Sequence, residues 1–251
     1  MKKVVVVIAF ALLSASSFAQ QNDRIRVAAA SSLNFALDSI VSAFEARQPG
    51  RVDLSYGSSG KLFEQISNGA PFDIFFSADM DYPSLLRKKN MAASEPYIYG
   101  TGRLVVWSKK IDVSNKGIKS LLDPGVKKIS IANPMHAPYG KRAEEALAHY
   151  AILDDVKSRL VYGQNISQAA QFVTSGAADV GIIALSLALS PNMKREKGAY
   201  FIIPENSHLP LEHGVVITRR GEGSDFAKTF MDFVKGEQAV AILLHFGIMR
   251  P

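Results

Sequence analysis

"RVDLSYGSSGKLFEQIS" (51–67) holds the turn on which the fold depends. Residues 51–57 read as a strand. Leu62 and Ile66 then fall at helical spacing, and Asn68-Gly69 supplies a stop. Three chemistries compete for the turn between them. Gly60-Lys61 suggests a phosphate-cradling loop, which needs glycine five residues before its Gly-Lys pair and Ser or Thr after it. Ser55 and Leu62 stand in those places. Ser58-x-x-Lys61 suggests a serine nucleophile with an activating lysine, but the enzymes that use it also need S-D-N and K-T-G elements. Neither occurs, and "KTF" (228–230) lacks the glycine. A G-x-S-x-G elbow is missing too. What remains is a helix opened by small residues at the end of a strand, the recurring unit of a parallel α/β sheet.

The same unit extends in both directions. "RIRVAAA" (24–30) reads as a strand, followed by a helix with apolar residues at 33, 37, 40 and 44. "FDIFFSA" (72–78) is apolar throughout its middle, as suits a parallel strand covered on both faces. A second series begins with "GRLVVWS" (102–108) and "KKISIAN" (127–133). It continues with a helix from Gly140 to about Tyr150, "RLVYG" (159–163), a helix over 166–175 and "DVGIIAL" (179–185). "AYFIIPE" (199–205) and "EHGVVIT" (212–218) are further strands. A helix bearing Phe226, Phe230, Phe233 and Val234, then another over 237–245, close the chain. The expected fold is α/β and two-lobed, each lobe a mixed, mostly parallel sheet flanked by helices. Residues 22–101 with 213–251 form one lobe and 102–212 the other, with crossovers near 101–103 and 211–214.

Composition narrows the function. Of 251 residues, 47% are hydrophobic and 21% charged, enough for a real core. "MKKVVVVIAFALLSASSFAQ" opens with two lysines, runs apolar from Val4 to Leu13 and offers Ser17-Phe18-Ala19 before Gln20, the pattern of a cleavable secretory signal over 1–19. An apolar run of about ten residues is too short to span a bilayer. Removing Lys2 and Lys3 would lower the 29 basic residues to 27 against 23 acidic, or +4. The basic residues are scattered, so a nucleic-acid partner is not expected. The chain has no cysteine, which excludes disulfides, cysteine-held metals and a lipid anchor on cysteine. An exported, periplasmic, monomeric protein is the expectation.

Four strand-to-helix junctions share one chemistry: "AASSL" (29–33), "GSSGKL" (57–62), "NPMHAPYGK" (133–141) and "GQNIS" (163–167). Each places serine, glycine or bare backbone at a helix start, where unpaired N–H groups and the helix dipole attract anions. Serine and asparagine also serve as ordinary caps there. If the strands belong to open sheets, however, their carboxyl ends share one edge, and four such junctions can face one cleft.

In these stretches, and in "SYGSSGKLFEQISNGAPFDIFFSAD", "IANPMHAPYGKRAEEAL" and "FMDFVKGEQAVAILLHFGI", the chain resembles the periplasmic molybdate-binding proteins, receptors of the molybdate ABC importer. The resemblance implies a type II periplasmic-binding-protein fold that closes on one tetrahedral oxyanion, molybdate or tungstate. It implies binding by hydroxyls and backbone amides, no catalysis and no cofactor, and delivery to an inner-membrane permease. Carried over residue by residue, it implies Ser31 and Ser32 at the first junction, Ser58 and Ser59 at the second, and the amides of Tyr139 and Ile166 at the third and fourth. One position departs: some members carry a tyrosine after the "GI-V/I" strand, where this chain has Ala184. A sulfate or phosphate receptor is the alternative. Phosphate carries a proton near neutral pH, and no carboxylate at the junctions would accept it.

Other residues receive plainer expectations. Lys61 lies one step into its helix and should leave its ammonium outside the cleft. His136 and His213 are expected to be structural or superficial. Asp73 and Asp79 should cap amides or support the hinge, Trp107 and the C-terminal phenylalanines should be core, and Tyr139 could stack over the cleft mouth.

Overall fold

The structure, a computed structural model, describes residues 23–250; the signal sequence read over 1–19 lies outside them. The chain begins with β1 (Arg24–Ala30), α1 (Asn34–Glu45), β2 (Arg51–Gly57), α2 (Ser59–Ser67), β3 (Ile74–Phe76), α3 (Asp81–Lys88) and β4 (Tyr97–Gly102). It continues through β5 (Leu104–Ser108), α4 (Val113–Lys116), β6 (Ile129–Ala132), α5 (Pro138–His149), α6 (Leu153–Val156), β7 (Leu160–Gly163), α7 (Ile166–Thr174), β8 (Val180–Ala184), α8 (Leu185–Ala188), α9 (Pro191–Arg195) and β9 (Ala199–Ile202). It ends with β10 (Leu211–Ile217), α10 (Asp225–Lys235) and α11 (Glu237–His245).

The strands form two sheets, ordered β2-β1-β3-β10-β4 and β7-β6-β8-β5-β9. In each, four strands run one way and the strand in fourth place runs against them. That reversed strand is the one arriving from the other lobe: β5 enters the second sheet after Arg103, and β10 enters the first after 203–210. The two lobes are therefore built on one plan, each reached by a single crossover.

Apolar periodicity explains the packing. α1 buries Ala36, Leu37, Ile40, Val41 and Phe44. Phe44 sits among Phe226, Phe230 and Phe233, with ring centroids 5.2, 5.0 and 5.4 Å away, which ties the C-terminal helices to the first lobe. Trp107 is buried in the core of the second lobe with Ile129, Ile131, Leu147 and Ile182.

Three local readings need correction. "GRLVVWS" is not one strand. The chain breaks at Arg103, and β4 (Tyr97–Gly102), absent from the sequence reading, belongs to the first sheet. Gly100 and Gly102 hid it, since glycine weakens strand propensity. Both answer to crowding: a Cβ at Gly102 would strike the Tyr139 hydroxyl and the His213 ring, and one at Gly100 would press on Ile248. "AYFIIPE" stops as a strand at Ile202, two residues before Pro204, and "FDIFFSA" contributes only Ile74–Phe76.

Candidate functional site

All four junctions become helix starts. Ser31–Leu33 form a single tight turn leading into α1. Ser58 occupies the cap position of α2 with Ser59 as its first residue. Pro138 opens α5 with its fixed φ, putting Tyr139 second. Ile166 opens α7, where the Asn165 carboxamide accepts from Gln168 N–H. Ser31, Ser32, Ser58, Ser59, Tyr139 and Ile166 are all buried.

The junctions meet in pairs across the lobes. Ser167 Oγ donates to the Ser31 carbonyl at 2.8 Å, and its N–H donates to Ser31 Oγ at 3.3 Å. Ser186 Oγ, on α8, donates to the Ser32 carbonyl at 2.7 Å. On α2, Gly60 N–H donates to the His136 carbonyl at 2.8 Å, and Ser58 Oγ lies 2.9 Å from His136 Nδ1. Ala30 and Ala78, at the ends of β1 and β3, join the apolar core of the second lobe. The two lobes are thus closed on each other around their helix N-termini.

Within this closed seam the hydroxyls are prepared to give protons. Ser59 Oγ accepts the Ala78 N–H at 3.0 Å and Ser31 Oγ accepts that of Ser167, so one lone pair of each is filled while its O–H remains to donate. Ser32 Oγ is buried and makes no hydrogen bond among the described residues. Burial of a hydroxyl is costly unless it is satisfied, and this one lies beside the Tyr139 phenol of α5. The Tyr139 phenol lies close enough to Ser32 for that hydroxyl to offset part of the rise that burial gives its pKa.

Several charged side chains have partners of their own. Arg142, buried on α5, pairs with Glu145. The Asp79 carboxyl, pushed up by burial, accepts from the Ser77 hydroxyl and Tyr82 N–H, and Asp73 accepts from Arg26 N–H while pairing with Arg220. Both aspartates cap amides as expected. Lys61 is half-buried on α2. No group of three or more His, Cys, Asp or Glu suited to a metal ion occurs among the described residues. No described helix is long and apolar enough to cross a membrane.

Tyr139 corrects one expectation: it does not cover the cleft mouth. Its ring is 2% exposed, and its hydroxyl lies 3.2 Å from His213 Nε2 at the crossover. His213 is fully buried, and that burial drives its pKa down to about 3. Gly102 makes room for the pair. Ser167, Ser186 and His136 were missed as contacts because each acts on a residue far away in sequence. The only local signal was that two of them immediately follow a strand-to-helix turn. Ala184 ends β8 buried, and the hydroxyl two residues later, on Ser186, supports the Ser32 carbonyl.

The family model described as bacterial extracellular solute-binding protein matches residues 25–248. The molybdate-binding protein of Azotobacter vinelandii is 33% identical over 248 residues, 98% of this chain and 97% of that protein. The molybdate-binding protein of Escherichia coli K12 is 32% identical over 89% of this chain and 88% of its own. In three dimensions, the A. vinelandii periplasmic molybdate-binding protein superposes with a TM-score of 0.85, covering 90% of this chain and 99% of that one.

Proposed function

Because the chain belongs to the bacterial extracellular solute-binding protein family and is a homologue of its molybdate-binding members, we propose that it is a periplasmic, monomeric receptor that closes on molybdate or tungstate and hands it to an ABC permease. Residues 23–102 with 211–250 act as one lobe and 103–210 as the other, since β4 and β10 both lie in the first sheet. Ser31, Ser32, Ser58 and Ser59 contribute hydroxyls, and Tyr139 and Ile166 contribute amides. The reading rests above all on the convergence of buried helix starts from both lobes, where the junction at Ser31 meets that at Ser167 and the junction at Ser58 meets that at His136. Hydrogen bonds to a charged partner are worth about 1.5–3 kcal/mol each. Six of them, less the costs of association and closure, accommodate a dissociation constant between about micromolar and nanomolar.

Discrimination follows from the direction of those hydrogen bonds. With backbone N–H groups already on Ser31 Oγ and Ser59 Oγ, the seam is rich in donors. Protonated phosphate needs an acceptor and is disfavoured there. Thermal-shift and calorimetric titrations with molybdate, tungstate, sulfate and phosphate test the assignment. Molybdate and tungstate should raise the melting temperature most and phosphate least; equal stabilisation by sulfate would refute the metal-oxyanion reading.

The 2.9 Å approach of Ser58 to His136 favours one rival, a serine hydrolase. Two features speak against it. Among the described residues no carboxylate is hydrogen-bonded to His136 Nε2, and Gly60 N–H, the amide placed to stabilise an oxyanion, is taken by the His136 carbonyl. A fluorophosphonate probe should leave Ser58 unlabelled; labelling would establish the hydrolase.

A further inference from the structure

We propose that His136 is the clasp of this receptor, a positioning residue that sets how long the bound anion is retained by holding α2 of one lobe against the start of α5 in the other. The inference rests on the receptor reading above. His136 makes both of its cross-lobe contacts on a single helical turn, its ring on Ser58 Oγ at 2.9 Å and its carbonyl on Gly60 N–H at 2.8 Å. Between those two residues lies Ser59.

Three further observations fit a built contact. Gly60 is the residue that permits the approach: a Cβ there would lie 2.8 Å from the His136 carbonyl oxygen and 2.9 Å from its Cβ, with the Tyr82 hydroxyl at 2.5 Å. Only the tyrosine could move aside without shifting backbone. His136 itself is seated by Asn133, whose carbonyl accepts the His136 N–H at 3.3 Å while its side chain accepts the Met135 N–H at 3.0 Å. The imidazole is held below its ordinary pKa by partial burial and by the Lys61 ammonium, with Glu64 opposing. It is therefore neutral near pH 7, and with its proton on Nδ1 it donates to Ser58 Oγ and leaves the Ser58 O–H for the anion.

The clasp is remote in sequence from the contacts of Ser31 and Ser32 with Ser167 and Ser186, so losing it leaves the other cross-lobe bonds standing. An anion first meets an open cleft, and the clasp forms only as the lobes shut. Removing it should therefore speed escape and leave capture unchanged.

Stopped-flow fluorescence of the purified chain with molybdate reads both rates. His136→Ala should release molybdate about fivefold faster, the worth of one hydrogen bond, with association within about twofold of the parent. His136→Asn, whose amide reaches the place of Nδ1, should restore most of the retention. Gly60→Ala, which drives a methyl into the His136 backbone, should release at least as fast as His136→Ala. Unchanged release in His136→Ala, or His136→Asn behaving no better than alanine, would overturn the clasp while the parent's molybdate binding still supported the receptor. Parent protein that binds no molybdate would instead overturn the receptor reading. Small-angle scattering at saturating molybdate gives a second reading: Gly60→Ala should stay more extended than the closed parent, and identical profiles would count against the clasp.

Discussion

Ser59→Ala will bind molybdate at least tenfold more weakly than the parent chain in isothermal calorimetry. Ser59 stands on the first turn of α2, is 1% exposed, and has one lone pair filled by Ala78 N–H at 3.0 Å. Its remaining role is to donate. A donor to a dianion lost from a dry seam costs about 1.5–3 kcal/mol, a loss of about ten- to 150-fold in affinity. The same substitution strips Ala78 N–H of its buried acceptor at about 1–3 kcal/mol, so the anion-free melting temperature should also fall. The two effects separate because calorimetry compares free folded protein with bound folded protein. Undiminished affinity would remove Ser59 from the site whatever happened to the melting point.

The largest loss of stability is expected from Gly140→Ala. Gly140 lies on the first turn of α5, where that helix presses on the end of β6. A Cβ there would lie 2.7 Å from the Ala132 carbonyl carbon and 2.9 Å from Pro134 N, and closer still to the Ala132 carbonyl oxygen. Every one of these is a backbone atom, so no rotamer change relieves the clash, and α5 must withdraw from the sheet. Overpacking of this kind costs about 3 kcal/mol, and for a chain of this size that lowers the melting temperature by about 6–12 °C. The neighbouring Tyr139 amide moves with the helix, so anion affinity should drop as well. Circular dichroism melts without anion provide the measurement. An undisturbed melting point would show that the approach of α5 to β6 is looser than the structure gives it.

Much of this was legible in the chain itself, for a physical reason. Strands such as Ile74–Phe76 and helices such as Ile166–Thr174 bury complete apolar faces, and their sequence periods follow from that. The serines at 31, 32, 58 and 59 were visible because a helix start exposes its chemistry within three residues. What stayed hidden depended on which element faces which. Tyr139 reads as an amphipathic ring suited to a cleft mouth, and only the gap at Gly102 draws it inward to His213. Ser186 reads as one more hydroxyl in "ALSLALS" until β8 brings it to the Ser32 carbonyl. β4 escaped notice because its glycines answer to neighbours on β10 and α5 and at the C-terminus, not to its own pattern.

The swapped fourth strands have a consequence for biogenesis. A polypeptide emerging amino end first delivers β1 to β4 early, yet the strand that separates β3 from β4 is β10, whose Val215 pairs with Phe76. The second sheet draws all its strands from the contiguous stretch 104–202 and can be completed first. The lobe begun earliest is finished last, and until the final forty or so residues arrive the nascent molecule has an open seam down the middle of its first sheet. Truncations near the carboxyl terminus should therefore damage the amino-terminal half of the protein more than the middle.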